Sequence, residues 1–112
     1  MPKLVIIESP YAGDIPKPFR YLRACMRDCL LRGESPYASH GLYTQEGVID
    51  DPTPEEKRKC MEAGFAWREK ADLTVVYTDL GISSGMELGI EDARVKGFPV
   101  EYRSLLAWRN ER

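Results

Sequence analysis

Histidine is almost missing from this chain, cysteine is sparse and odd in number, and no hydrophobic run is long. His40 is the sole histidine, and the cysteines are Cys25, Cys29 and Cys60. Cys25 and Cys29 stand one helical turn apart, a spacing that suits a metal, but no second Cys or His pair complements them as a zinc site needs. No metal and no cofactor are expected, and the thiols read as reduced core cysteines of a cytoplasmic protein. No apolar run approaches the ~20 residues needed to cross a bilayer, so no membrane partner is expected. The early run "KLVII" breaks at Glu8-Ser9-Pro10, too soon for a signal peptide, and reads better as a strand. Sixteen basic against eighteen acidic residues leave a formal charge of −2. The basic excess of a nucleic-acid-polymer binder is therefore lacking.

What is present suits one folded domain over residues 1–112. Hydrophobic residues make up 43% and charged residues 30%, enough to bury a core without staples. Lys3–Ser9 is a β-branched run typical of a strand covered on both faces. After the Pro- and Gly-dense "PYAGDIPKP", Pro18 opens a helix whose inward positions read Phe19, Leu22, Cys25, Met26, Cys29 and Leu30, ending near Gly33. "SPYASH" is a short second strand, and "GLYTQEGVIDDPT" a loop. Thr53 followed by Pro54 and Glu56 predicts a capped helix that turns Cys60, Met61, Gly64, Phe65, Trp67 and Ala71 inward. "DLTVVYTD" is the third strand, Met86–Lys96 the third helix with Gly97 as its stop, and "PVEYRSL" the fourth strand. The alternation predicts a three-layer α/β/α sandwich on a mainly parallel sheet of four strands, or five, in the order 2-1-3-4.

Ligands of such sheets bind beyond the carboxyl ends of the strands. The segments expected there are "ESPYAG", "SPYASH" and "TDLGISSG", and "ESPYA" itself occurs twice, at Glu8–Ala12 and Glu34–Ala38. Glu87 falls in the first turn of the third helix, where an acid also complements the helix dipole. Gly81 and Gly85 permit a tight turn and close ligand approach. Gly89, inside the helix, costs ~1 kcal/mol against alanine, which points to close packing against a neighbour or a ligand. The helix-start amides with Ser83 and Ser84 suit an anion such as phosphate. Asp79 ends the third strand beside them, where a turn-forming aspartate is also at home. Two carboxylates with different tasks are what glycosidic-bond cleavage uses. Arg20 and Arg23, near the start of the first helix, suit bidentate phosphate contact. Arg27 and Arg32 read as a solvated face. His40 is a structural hydrogen-bonding residue or a proton-transfer or substrate contact at the exit of the second strand. Tyr37 and Tyr43 stack on a base or pack.

"ADLTVVYTD" followed by "GMELGIEDARVKGFPV" resembles the nucleoside 2-deoxyribosyltransferase superfamily, which includes the 2'-deoxynucleoside 5'-monophosphate N-glycosidases. The resemblance runs over nearly the whole chain, with the alanine after "GMELG" falling late, at Ala93. A nearer resemblance is to a small uncharacterised phage and bacterial family sharing "ESPYAG", "SPYASH" and "YTDLGIS-x-GM". The superfamily resemblance implies Glu87 as nucleophile at the anomeric carbon, Tyr11 orienting Glu87 or the sugar, and Asp79 contacting base or sugar. It also implies that Ser9, Gly13, Ser83 and Ser84 line a sugar or phosphate pocket. The superfamily's aspartate on the helix before "AD" falls here near Gly64, with Glu62, Asp50 and Asp51 nearby. The partners implied are a small nucleoside or nucleotide and further copies of the chain, with Trp108 reaching a neighbouring subunit. A non-catalytic binder of a nucleotide or ADP-ribose-like ligand is the alternative.

Overall fold

A computed structural model describes residues 2–10, 16–38 and 53–108. Tyr11, Gly13, His40, Tyr43, Asp50 and Asp51 lie outside the described residues.

Strand β1 (Leu4–Glu8) is followed by helix α1 (Pro16–Leu31), strand β2 (Ser35–Tyr37), helix α2 (Pro54–Arg68) and strand β3 (Leu73–Tyr77). Helix α3 (Ser84–Val95), strand β4 (Val100–Arg103) and a single 3-10 turn (Leu106–Trp108) complete the described chain. The four strands form one all-parallel sheet in the order β2-β1-β3-β4, as the alternation predicts. Two strands are shorter than expected: β2 ends at Tyr37, and β4 keeps four residues of "PVEYRSL".

Side chains alternate across a strand, and this sorts the core into two. Val5 and Ile7 of β1 and Val75 and Tyr77 of β3 face α1, where they pack with Tyr21, Leu22, Cys25 and Cys29. Val76 faces the other way, onto Met86 and Ile90 of α3. Helix α1 thus covers one face of the sheet, and α2 with α3 the other.

Helix ends follow local chemistry. Thr53 caps α2: its hydroxyl accepts from the Glu56 amide at 3.2 Å, and the Glu56 carboxylate accepts from the Thr53 amide at 3.0 Å. This reciprocal capping box stabilises the helix start. Gly33 and Gly97, with φ of +81° and +75°, end α1 and α3 in a region that side chains resist.

Three packing expectations are corrected. Met26 and Leu30 of α1 are exposed, and the buried positions are Tyr21, Leu22, Cys25 and Cys29. Trp67 is half exposed and rests against Tyr37, ring centres 5.1 Å apart. The residue that α2 buries instead is its neighbour Arg68, 2% exposed. Trp108, expected at a subunit boundary, packs edge-on against Tyr21 of its own α1 at 5.1 Å and joins the core cluster on that face.

Candidate functional site

The strand order reverses direction between β1 and β3. From β1 the chain leaves towards β2 by way of α1, and from β3 it leaves towards β4 by way of α3. The crevice beyond the carboxyl ends of these two central strands is the switch point, where sheets of this kind receive ligands. Ser9 and Pro10 stand at its β1 side. Thr78 to Ser83 and the first turn of α3 stand at its β3 side.

The β3 exit turns sharply. The Gly81 amide donates to the Thr78 carbonyl at 3.0 Å, and Gly81 takes a φ of +86°. Ser83 then caps α3, its hydroxyl accepting from the Met86 amide at 3.3 Å. The cap occupies Ser83, while Ser84, Gly85 and Glu87 are exposed around the helix start. Met86, between them, is buried and anchors the turn to Val76. This alternation of one buried residue among exposed neighbours presents Glu87 to solvent at the mouth of the crevice.

Asp79 sits two residues beyond β3 with no exposed surface. Its Oδ2 accepts from the Tyr21 hydroxyl at 2.7 Å and from the Leu105 amide at 2.8 Å, and its Oδ1 from the Ser104 hydroxyl at 2.6 Å. The Asp79 amide in turn donates to the Tyr21 oxygen at 3.0 Å. Burial alone would raise its carboxyl pKa, but the Ser104, Leu105 and Tyr21 donors outweigh it and hold the group below the usual aspartate range. Burial, with the hydrogen bond to this carboxylate, pushes the Tyr21 hydroxyl pKa upward. Asp79 therefore ties the β3 exit to α1 and to the segment after β4.

A second acid ends β1 on the opposite face. Glu8 Oε2 accepts from Arg68 Nη2 at 2.6 Å, and Asp92 Oδ2 of α3 accepts from Arg68 Nη1 at 2.7 Å. The remaining Arg68 donor, Nε, reaches the Thr74 hydroxyl at 3.0 Å. Burial pushes the Glu8 carboxyl up to about 7, against the charge and hydrogen bond of Arg68 and with help from the Asp92 charge. Gly89 makes room for this acid: a Cβ there would come within 2.6 Å of Glu8 Cδ and closer still to Oε2. The close neighbour that Gly89 requires is thus the Glu8 carboxyl.

A third network seals the α1 face at the β4 edge. Arg103 grips Glu34 through two contacts of 2.7 Å and reaches the Tyr77 hydroxyl at 3.4 Å. Tyr77 donates onward to Asp28 at 2.8 Å. The paired hydrogen bonds from Arg103 hold the Glu34 carboxyl below its usual range. The second "ESPYA" thus opens on a structural ion pair. Cys25 and Cys29 are buried free thiols, their pKa values raised chiefly by burial.

Of the sequence-predicted site residues, Ser9, Asp79, Gly81, Ser83, Ser84, Gly85 and Glu87 come to the same end of the central strands. Ser9 is buried there. Arg23 does not join them: it lines a groove on the outer surface of α1 with Met26, Arg27, Leu30 and Leu31. Arg20 is exposed on the same helix. Gly64 is buried in α2, one turn before Arg68. Glu62 is exposed, within reach of Arg58 at 3.8 Å. Sequence reasoning missed Glu8, Arg68 and Asp92. Two signals pointed to them: the inward spacing 61, 64, 68 along α2, and a glycine within α3 that demanded a close neighbour.

Among the described residues, no helix is long and apolar enough to cross a membrane. No curated protein and no solved structure matches the chain. A family model does, over residues 3–103, from the start of the first strand run through the end of β4. The chain therefore belongs to the family described as a domain of unknown function, DUF7768.

Proposed function

We propose that this protein acts on the N-glycosidic bond of a nucleoside or nucleoside 5'-monophosphate, as hydrolase or deoxyribosyl transferase, with Glu87 as nucleophile. The observation that carries the reading is the exposed position of Glu87 in the first turn of α3, at the switch point of a 2-1-3-4 sheet. The "GMELG" resemblance supports it. In this reading the Glu87 carboxylate attacks the anomeric carbon. The C–N bonding electrons leave with the base, which takes up a proton. Water or a second base then resolves the glycosyl ester with net retention. The free helix-start amides and the Ser84 hydroxyl suit the sugar or a 5'-phosphate.

The test is base release from a panel of nucleosides and their 5'-monophosphates, with and without a second base as acceptor, compared with Glu87→Ala. Release lost in the variant by two or more orders of magnitude is the expected outcome. Equal release by both proteins overturns the assignment of Glu87.

One observation favours a second reading, a non-catalytic binder of a nucleotide or ADP-ribose-like ligand. Both buried acids at the strand ends are engaged by internal partners: Asp79 by three donors, and Glu8 by Arg68. In this reading no compound releases base, yet a nucleotide raises the melting temperature of wild type and Glu87→Ala alike.

A further inference from the structure

Helices α1 and α3 carry unlike charges on their outer surfaces and lie on opposite faces of the sheet. On α1, Arg23 and Arg27 are one turn apart and flanked by Met26, Leu30 and Leu31. These five residues line a shallow groove of about 290 Å³, and Leu31 is 73% exposed. Among the described residues no carboxylate pairs with Arg23 or Arg27, and the one acid on that side of α1, Asp28, is taken by Arg32 at 2.9 Å and by Tyr77. On α3, Glu87 and Glu91 are likewise one turn apart, and Leu88 and Val95 stand beside them, Val95 76% exposed. No cation among the described residues pairs with either glutamate. Arg94, on the flank of the same helix, is directed to the Tyr102 hydroxyl at 2.9 Å.

Each helix thus presents two like charges at i, i+4 beside an apolar strip, and the signs are opposite. Residues four apart on a helix are neighbours on its surface, so the two charge pairs match in spacing. Packing α1 on a second α1 would set arginine against arginine, and α3 on α3 glutamate against glutamate. Like charges brought together in this way oppose association. The complementary arrangement sets α1 of one copy on α3 of the next.

We infer that the outer face of α1 is a docking surface for the outer face of α3 of a second copy of this chain, pairing Arg23 and Arg27 with Glu87 and Glu91 and covering Leu30 and Leu31 with Leu88 and Val95. Because the two faces differ, the contact is heterologous: a pair of copies keeps one unused face of each kind, and association continues head to tail into a ring or an open string. A contact between two short helices buries less than the ~1,200 Å² of a standard stable interface, so the assembly is concentration-dependent. Its charge pairs are exposed at the rim, so it weakens with salt.

Sedimentation velocity over a wide range of protein concentration, at low and high salt, tests this. Glu91 and Arg27 are the residues to reverse, because Glu87 has a separate proposed role in the crevice. Wild type is expected to sediment faster as concentration rises at low salt, and salt is expected to suppress the change. Arg27→Glu and Glu91→Arg are each expected to remain monomeric, and an equimolar mixture of the two to regain association. Leu31→Ser and Val95→Ser form a second pair of variants on exposed positions and are each expected to reduce association. A wild type that stays monomeric throughout overturns the inference. So does a result in which only one of the two faces matters, since that describes a symmetric dimer through a single helix. Base release from the panel above, measured at a dilution where wild type is monomeric and Glu87 is uncovered, is expected to be unchanged in Glu91→Arg, which separates failure of this contact from failure of the Glu87 assignment.

Discussion

Glu8 and Asp79 stand at the ends of adjacent strands, and they are solvated by the protein in opposite ways. Asp79 faces α1; a phenol, a serine hydroxyl and a backbone amide donate to it, and its carboxyl pKa falls. Glu8 faces α2 and α3 and is held by a guanidinium, yet its carboxyl rises to about 7. The difference lies in the balance between burial and the groups that oppose it. Arg68 divides its charge between Glu8 and Asp92, and Lys96 reaches the other oxygen of Asp92 at 3.0 Å, so Arg68 is the one cation on Glu8. At Asp79 the hydrogen-bond donors outweigh burial, whereas at Glu8 burial outweighs Arg68. Asp79 on the α1 face is thereby held by hydrogen bonds, and Glu8 on the α2/α3 face by an ion cluster that a proton can relax.

The comparison breaks most visibly at Arg68. Arg68→Ala leaves Glu8 without its cation and Asp92 with Lys96 alone, and a loss of about 3 kcal/mol in urea unfolding at neutral pH is expected. The loss shrinks at pH 5, where Glu8 takes up a proton. A loss that is the same at both pH values would mean that Glu8 does not titrate in this range.

Glu8 itself gives the next effect. Its folded-state pKa lies above its unfolded value, so its contribution favours the fold in full below about pH 4.5 and is lost as pH rises through about 7. Wild type is expected to lose up to about 3 kcal/mol of stability across that window. Glu8→Gln is expected to flatten the profile there. Thermal melts of both proteins from pH 4.5 to 8 measure the difference, and parallel profiles would refute it.

Asp79 has the opposite sign. Its depressed pKa contributes stability above the ordinary aspartate range and loses it as pH falls through the folded-state value. Ser104→Ala removes one of its donors and is expected to cost about 1 kcal/mol at neutral pH. It should also move the acid-side loss of stability to higher pH. An acid limb that does not move would separate Ser104 from the titration of Asp79.

The strands and their order were legible because the parallel sheet buries continuous β-branched runs and because crossover handedness leaves few arrangements. The Thr53 cap and the Gly33 and Gly97 stops were legible because they depend on neighbours a few residues away. The inward face of α1 was not. The helix carries two apolar stripes, and the one that faces the sheet contains Tyr21, whose hydroxyl is needed by an acid 58 residues later. Hydropathy likewise sends Trp67 inward and Arg68 outward. Arg68 goes in because β1 and α3 supply carboxylates 60 and 24 residues distant. At the crevice, the turn glycines and the exposed acid of α3 were readable from local pattern. The internal engagement of Asp79 was not, since two of its donors come from the segment after β4.

Gly89 has a consequence for how this chain can vary. The absent side chain at 89 and the carboxyl of Glu8 occupy the same space, so the two positions form one unit of permissible change. A library randomised at both would return them linked, a side chain at 89 surviving only beside a shortened residue at 8, so that substitutions harmful singly become acceptable together.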